Sequence, residues 1–96
     1  MKKIKMDAWD LKILINALYS GREFCAAERI DALDELILRL IDVCDGIKPG
    51  RKTKIRLQPG ENSLILRCLI EWRNEFIDTG QAEKADAVGE LLAKFV

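Results

Sequence analysis

Two short segments of the chain alternate between basic and apolar residues. The first covers residues 3–6 (KIKM) and the second covers residues 54–57 (KIRL). A period of two is typical of a strand that buries one of its faces. Because an isolated short strand is not stable, we expect the two to pair as a small two-stranded ribbon.

A helical period follows each of these segments. Apolar residues recur three and four positions apart over about residues 8–27 and 60–78, which predicts two long helices. The same spacing predicts a shorter helix after each long one. The apolar positions of these shorter helices are Leu33, Leu36, Ile37, Leu40, Ile41 and Cys44 in the first, and Val88, Leu91, Leu92 and Phe95 in the second.

Residues typical of helix ends support these boundaries. Asp7 is placed to accept hydrogen bonds from the free amides of the first long helix. Pro59 is expected at the first position of the second long helix and Glu61 at its third. Gly46 and Gly80 are expected to end helices, Gly80 in a left-handed conformation.

The same signals occur in the same order in both halves of the chain. Residues of about 3–45 and 54–96 are therefore predicted to be two pseudo-repeats of strand, long helix and shorter helix, joined by a basic connector at about 46–53. Helices joined by short turns pack as antiparallel pairs, and two such pairs form a four-helix bundle. We predict a mainly α single domain over residues 1–96, a four-helix bundle with the small ribbon.

Composition argues against several functions. The 96 residues include 16 basic and 16 acidic ones, no histidine, and three cysteines without a CxxC spacing. We expect no metal, no cofactor and no disulfide framework, and, without the commonest general base, no enzyme activity. Neighbouring carboxylates such as Glu71 and Glu75 are also what a solvated helix face supplies. The pairs Glu35–Arg39 and Glu90–Lys94 are expected to form ordinary i,i+4 contacts.

The N-terminal residues give no indication of membrane targeting. Lysines at the N-terminus are not followed by an apolar run, and no stretch of about 18 uncharged apolar residues occurs. We therefore expect a cytoplasmic protein without a membrane partner.

Charge is concentrated in one segment. Residues 48–56 carry five basic side chains and no acidic one, so this segment is +5 in a chain of net charge zero. Strand alternation adds two N-terminal lysines to the same surface. The candidate residues for binding nucleic acid or a phosphate ligand are Lys3, Lys5, Lys48, Arg51, Lys52, Lys54 and Arg56. The alternative is that these cations only keep the strand edges soluble.

The long helices are apolar over more of their circumference than one stripe requires. Three consecutive apolar residues occur at 13–15 and at 64–66, and a helix at a protein surface normally buries a narrower stripe. Such helices either contact two neighbours in the bundle or form an interface with a partner. The candidate interface residues are Trp9, Ile13, Ile15, Leu64 and Leu66, whereas Trp72 is expected in the core.

These observations favour a non-catalytic interaction protein, adaptor-like or inhibitor-like, that binds another macromolecule and forms a homodimer. The alternative is a protein that binds nucleic acid or a phosphate ligand through residues 48–56 together with Lys3 and Lys5. A lysine-rich short strand leading into a helix of LxxLxxAL type, here residues 11–18, resembles short proteins of Gram-positive bacteria and their phages. That resemblance implies no site residues.

Overall fold

The computed structural model describes residues 2–48 and 50–96, with only the backbone described for residue 2. This part of the chain is mainly helical and has one small antiparallel sheet, as the sequence predicts. Its elements are β1 (Lys2–Asp7), α1 (Ala8–Gly21), α2 (Ile30–Gly46), β2 (Lys52–Leu57), α3 (Glu61–Asp78) and α4 (Ala82–Leu92), with two short 3-10 turns, Arg22–Phe24 and Ala27–Arg29, between α1 and α2. The order strand, helix, helix occurs twice; the pseudo-repeat and the bundle stay predictions.

The ribbon lies on the core through one face. β1 and β2 pair antiparallel, with Ile4 opposite Ile55 and Met6 opposite Thr53. Ile4, Met6, Ile55 and Leu57 are all buried, because their alternate positions point to the same side of the two strands. Since the strands are antiparallel, α1 and α3 leave from opposite ends of the ribbon.

Helices α1 and α3 occupy the middle of the helical layer, although α1, with 14 residues, is shorter than α2, with 17, contrary to the prediction. α1 contacts α2 and α3, and α3 contacts α1 and α4. Much of the wide apolar surface of these helices is therefore covered within the chain, which is the first of the two alternatives that the sequence left open. The core between them includes Leu14 and Leu18 of α1 and Ile65 and Leu69 of α3.

The helix boundaries follow the predicted signals in part. The Asp7 carboxylate accepts a hydrogen bond from the Asp10 amide at 2.8 Å and caps α1. Gly80 has a φ of 74°, and the amides of Gly80 and Gln81 donate to the carbonyls of Ile77 and Phe76. This pair of hydrogen bonds is the Schellman arrangement, which ends α3 as the glycine predicted.

The prediction that the first helix reaches residue 27 is wrong. α1 ends at Gly21, and the chain continues through two 3-10 turns before α2 begins. A Cβ atom added at Gly21 would lie 2.4 Å from the Cys68 sulfur. The glycine thus allows α1 to approach α3 closely, and it is also a weak helix former at the point where the helix stops.

The start of the second long helix also differs from the prediction. Pro59 and Gly60 form a turn, and α3 begins at Glu61 because Gly60 takes a left-handed conformation with φ 88°. Glu61 is buried, with 8% of its surface exposed. Its carboxylate accepts a hydrogen bond from the Gln58 amide at 2.6 Å and pairs with Arg39 of α2.

The two expected i,i+4 ion pairs are replaced by contacts between distant elements. Arg39 pairs with Glu61 rather than Glu35, and Lys94 pairs with Asp10 at 3.3 Å rather than with Glu90. Both basic side chains also donate to carbonyls of the ribbon. They therefore connect α2 and the C-terminal segment to the two strands.

The C-terminal segment completes the core after the last helix has ended. Phe95 follows α4 in a turn and is 1% exposed, and its carbonyl accepts a hydrogen bond from the Asn62 side chain at 3.1 Å. None of the described helices is both long enough and apolar enough to cross a membrane.

Candidate functional site

The outer face of the ribbon gathers most of the predicted basic residues. The register places Lys3 opposite Arg56, Lys5 opposite Lys54, and Lys52 opposite Asp7. All five cations are exposed. The alternation predicts this for Lys3, Lys5, Lys54 and Arg56, and Lys52 joins them because β2 begins two residues before the predicted strand. We call Lys3, Lys5, Lys52, Lys54 and Arg56 the basic face.

The cations that face each other across the ribbon are close neighbours, because directly opposite residues of an antiparallel pair have Cβ atoms about 4.5–5.5 Å apart. The carbonyl of Lys5 accepts a hydrogen bond from Lys94 at 3.2 Å, and the carbonyl of Arg56 accepts one from Arg39 at 3.5 Å.

The basic face is not neutralised by the protein. Among the side chains that the structure describes, three ion pairs form: Arg22–Asp34, Arg39–Glu61 and Lys94–Asp10. None includes a residue of the basic face. Asp7, the one acidic residue on this side of the ribbon, directs a carboxylate oxygen to the amide of Asp10. Like charges directly opposite each other destabilise a strand pair, so an anionic ligand would relieve this repulsion.

The connector extends the positive surface beyond one end of the ribbon. Lys48, Arg51 and Lys52 line one shallow groove together with Ile47 and Thr53. Lys52 belongs both to this groove and to the basic face. Pro49, in the middle of the predicted connector, lies outside the described residues. The structure thus places all seven predicted basic residues on the ribbon or next to it.

A second surface is an apolar groove between α1, α3 and α4. Its lining, which we call the aromatic groove, consists of Trp9, Ile13, Trp72, Phe76, Lys84, Ala87 and Val88. Trp9 is 69% exposed at its edge. The rings of Trp72 and Phe76 contact each other with centroids 4.8 Å apart, and the Lys84 ammonium lies 5.7 Å from the centroid of the Phe76 ring.

The five predicted interface residues do not form one surface. Trp9 and Ile13 share the aromatic groove, while Ile15 and Leu66 are half-buried against the core. Leu64 is buried beside a small cavity between α1 and α3. Trp72, expected in the core, packs partly against it and also lines the groove. The helical period could not predict that these residues line a groove, because the groove depends on how three helices are placed.

Carboxylates and thiols gather elsewhere in the chain. Glu23, Glu71, Glu75 and Asp78 line a shallow groove that includes no residue of the basic face. Cys25 and Cys68 line the small cavity between α1 and α3, and burial, with a smaller contribution from Cys25, raises the pKa of the Cys68 thiol to about 11. This thiol is protonated at neutral pH and is a poor nucleophile.

The described part of the chain contains no group of side chains suited to bind a metal ion. Within residues 2–48 and 50–96, apart from the side chain of residue 2, no three His, Cys, Asp or Glu side chains are grouped so that they could hold an ion.

Comparison of the chain with protein-family models, with curated proteins and with solved structures finds no match in any of the three. Two features of its own structure therefore remain as guides to function. One is the basic face of the ribbon, and the other is the aromatic groove.

Proposed function

We propose that this protein is a non-catalytic binding protein whose ligand is the phosphate backbone of a nucleic acid, held on the basic face of the ribbon. One observation carries the proposal: four of the five cations of this face stand in opposed like-charged pairs, Lys3 with Arg56 and Lys5 with Lys54, and none of the five forms an ion pair among the described side chains. Phosphates bind to such cations and release condensed counterions, which favours association at low salt.

The neutral net charge of the chain does not oppose this function. The basic residues are concentrated in a single segment and on one face, so the local potential differs from that of the whole molecule. Long-range attraction is screened within about 8 Å at physiological ionic strength, and contact with the basic face then dominates.

The proposal predicts binding that falls steeply with salt. Five cations in contact with phosphates correspond to a slope of about −4.5 in log affinity against log salt, or a loss of about 500-fold between 50 and 200 mM. Fluorescence anisotropy of the wild-type protein with a labelled nucleic-acid duplex measures this slope. The same titration with a neutral dextran provides the control. Binding that is absent at 50 mM salt, or that does not change with salt, would contradict the proposal.

The aromatic groove supports a second candidate function, self-association as a homodimer. We propose that the occupant of the groove is a second copy of the chain. Trp9 stands exposed at the edge of an apolar groove that it helps to line, so two copies related by a twofold axis could each present a tryptophan to the other. Such an interface is self-complementary, and tryptophan is enriched among residues that dominate binding energy.

Light scattering on a sizing column tests the homodimer. The wild-type protein is expected at twice its 10.9 kDa chain mass, and Trp9→Ser is expected at the mass of one chain, because it removes the exposed apolar anchor. Tyr19→Ser is the matched control, since Tyr19 is 51% exposed but does not line the groove. A monomeric wild-type protein, or a Trp9→Ser variant that remains dimeric, would rule out this interface.

A further inference from the structure

We infer that the nucleic acid is double-stranded DNA in the B form, and that the basic face of the ribbon enters its major groove. This inference rests on the proposed function and names its ligand. The observations that carry it are the shape of the ribbon, the chemistry of its outer face and the way its edges are held.

The dimensions of the ribbon match the major groove. Two paired strands lie about 4.8 Å apart, and the B-form major groove, about 12 Å wide, admits a two-stranded ribbon. Six residue pairs from Lys2–Leu57 to Asp7–Lys52 give a length of about 17 Å at 3.4 Å per residue. That length follows the groove over about half a helical turn.

The outer face carries groups that suit base edges and phosphates. Its residues lie at every second position and so recur about 6.8 Å apart along each strand. Arg56 and Lys54 are side chains of the kind that bind the O6 and N7 acceptors of guanine, while lysines at the margins reach phosphates. The five exposed side chains of this face include no aromatic ring, so the face offers no platform on which unpaired bases could stack.

The edges of the ribbon are less available than its face. Lys94 donates to the carbonyl of Lys5 in β1, and Arg39 donates to the carbonyl of Arg56 in β2, so a side chain from outside the ribbon already lies against each strand. An added strand from another protein would compete with these contacts. The face, in contrast, is held in place by the buried residues behind it and remains open to a ligand.

The form of the duplex distinguishes this inference from general binding to phosphates. An A-form RNA duplex has similar backbone charge, but its major groove is deep and too narrow for side chains to read. The face that fits B-form DNA therefore cannot make the same contacts with RNA. A surface that only neutralises phosphates would accept both duplexes.

The experiment compares the affinities of labelled nucleic acids by fluorescence anisotropy at one low salt concentration. Each duplex has about 20 base pairs, a length that covers the ribbon with flanking sequence. The probes are a mixed-sequence DNA duplex, an RNA duplex of the same sequence, the single DNA strand, and a DNA duplex with 7-deazaguanine in place of guanine. We expect DNA to bind at least ~10-fold more tightly than RNA or the single strand, because only DNA offers a wide major groove. Loss of the N7 acceptors is expected to weaken binding by about 5-fold or more.

The outcomes separate the inference from the proposed function. Equal affinity for the DNA and RNA duplexes, or full affinity for the 7-deazaguanine duplex, overturns entry into the major groove but leaves salt-dependent binding to phosphates in place. Tighter binding to the single strand also overturns it. An absence of salt-sensitive binding to every probe overturns the proposed function as well.

Discussion

Replacement of Lys54 and Arg56 by glutamate is expected to weaken nucleic-acid binding by at least ~100-fold at low salt and to reduce the magnitude of the slope of log affinity against log salt by about 1 for each phosphate contact that is lost. Each substitution removes one phosphate or base contact and places a negative charge next to the ligand. The measurement is the same anisotropy titration, with the variant K54E/R56E compared with the wild-type protein on one DNA duplex.

The same variant is expected to be more stable than the wild-type protein. Lys54 faces Lys5 and Arg56 faces Lys3, so K54E/R56E converts two repulsive cross-strand pairs into attractive ones. Each such change is worth about 0.2–1 kcal/mol at an exposed sheet position and weakens as salt is added. Urea denaturation measures the difference. A gain in stability together with a loss of binding would show that the wild-type charges favour the ligand at the expense of the fold.

A matched control separates position from charge. Arg67→Glu with Lys12→Glu changes the net charge by the same amount, but these exposed residues lie on α3 and α1, outside the basic face and outside the aromatic groove. We expect this control to retain binding within about 3-fold, because charges away from the contact act only through a screened field. Equal losses in both variants would show that net charge, and not the ribbon, governs binding.

Replacement of Phe95 by alanine is expected to lower the free energy of unfolding by about 3–5 kcal/mol. Phe95 is 1% exposed and belongs to the same core cluster as Met6 of β1 and Leu69 of α3, so its loss leaves a cavity where the last residues close the core. A domain of this size has about 5–15 kcal/mol of stability in total. The variant should therefore unfold at a much lower urea concentration.

Val96→Ala is the control for this substitution. Val96 is the next residue in the chain but is 88% exposed, so its truncation should change the stability by less than about 0.5 kcal/mol. A similar small change for Phe95→Ala would mean that the C-terminal turn does not contribute to the core. In that case the contacts of Lys94 and Asn62 with this region would also need to be revised.

The two proposed binding surfaces lie on different kinds of secondary structure. The basic face is formed by two strands with 44 residues between them in the chain. The aromatic groove is formed by three helices. The groove does not include any residue of the basic face, so the variants that test nucleic-acid binding and those that test self-association do not overlap.

Sequence patterns predicted the parts of the structure that depend on neighbouring residues. The alternation at residues 3–6 and 54–57 determined which side chains of the ribbon are buried and which are exposed, because successive residues of any strand point to opposite sides. Asp7 and Gly80 marked helix ends for reasons that are equally local, a side-chain cap and a left-handed backbone. The prediction of the seven basic residues as surface groups rested on the same kind of evidence.

Tertiary structure decided the features that join distant residues. The register that opposes Lys3 to Arg56 follows from the pairing of two strands far apart in the chain, and the early end of α1 accompanies the close approach of Gly21 to Cys68. Arg39 and Lys94 each follow a carboxylate by four residues in the sequence, yet they pair with Glu61 and Asp10; Lys94 lies beyond Leu92, where α4 ends. A helical period states which face of a helix is apolar, but not which element covers it, so these partners are determined only when the elements pack.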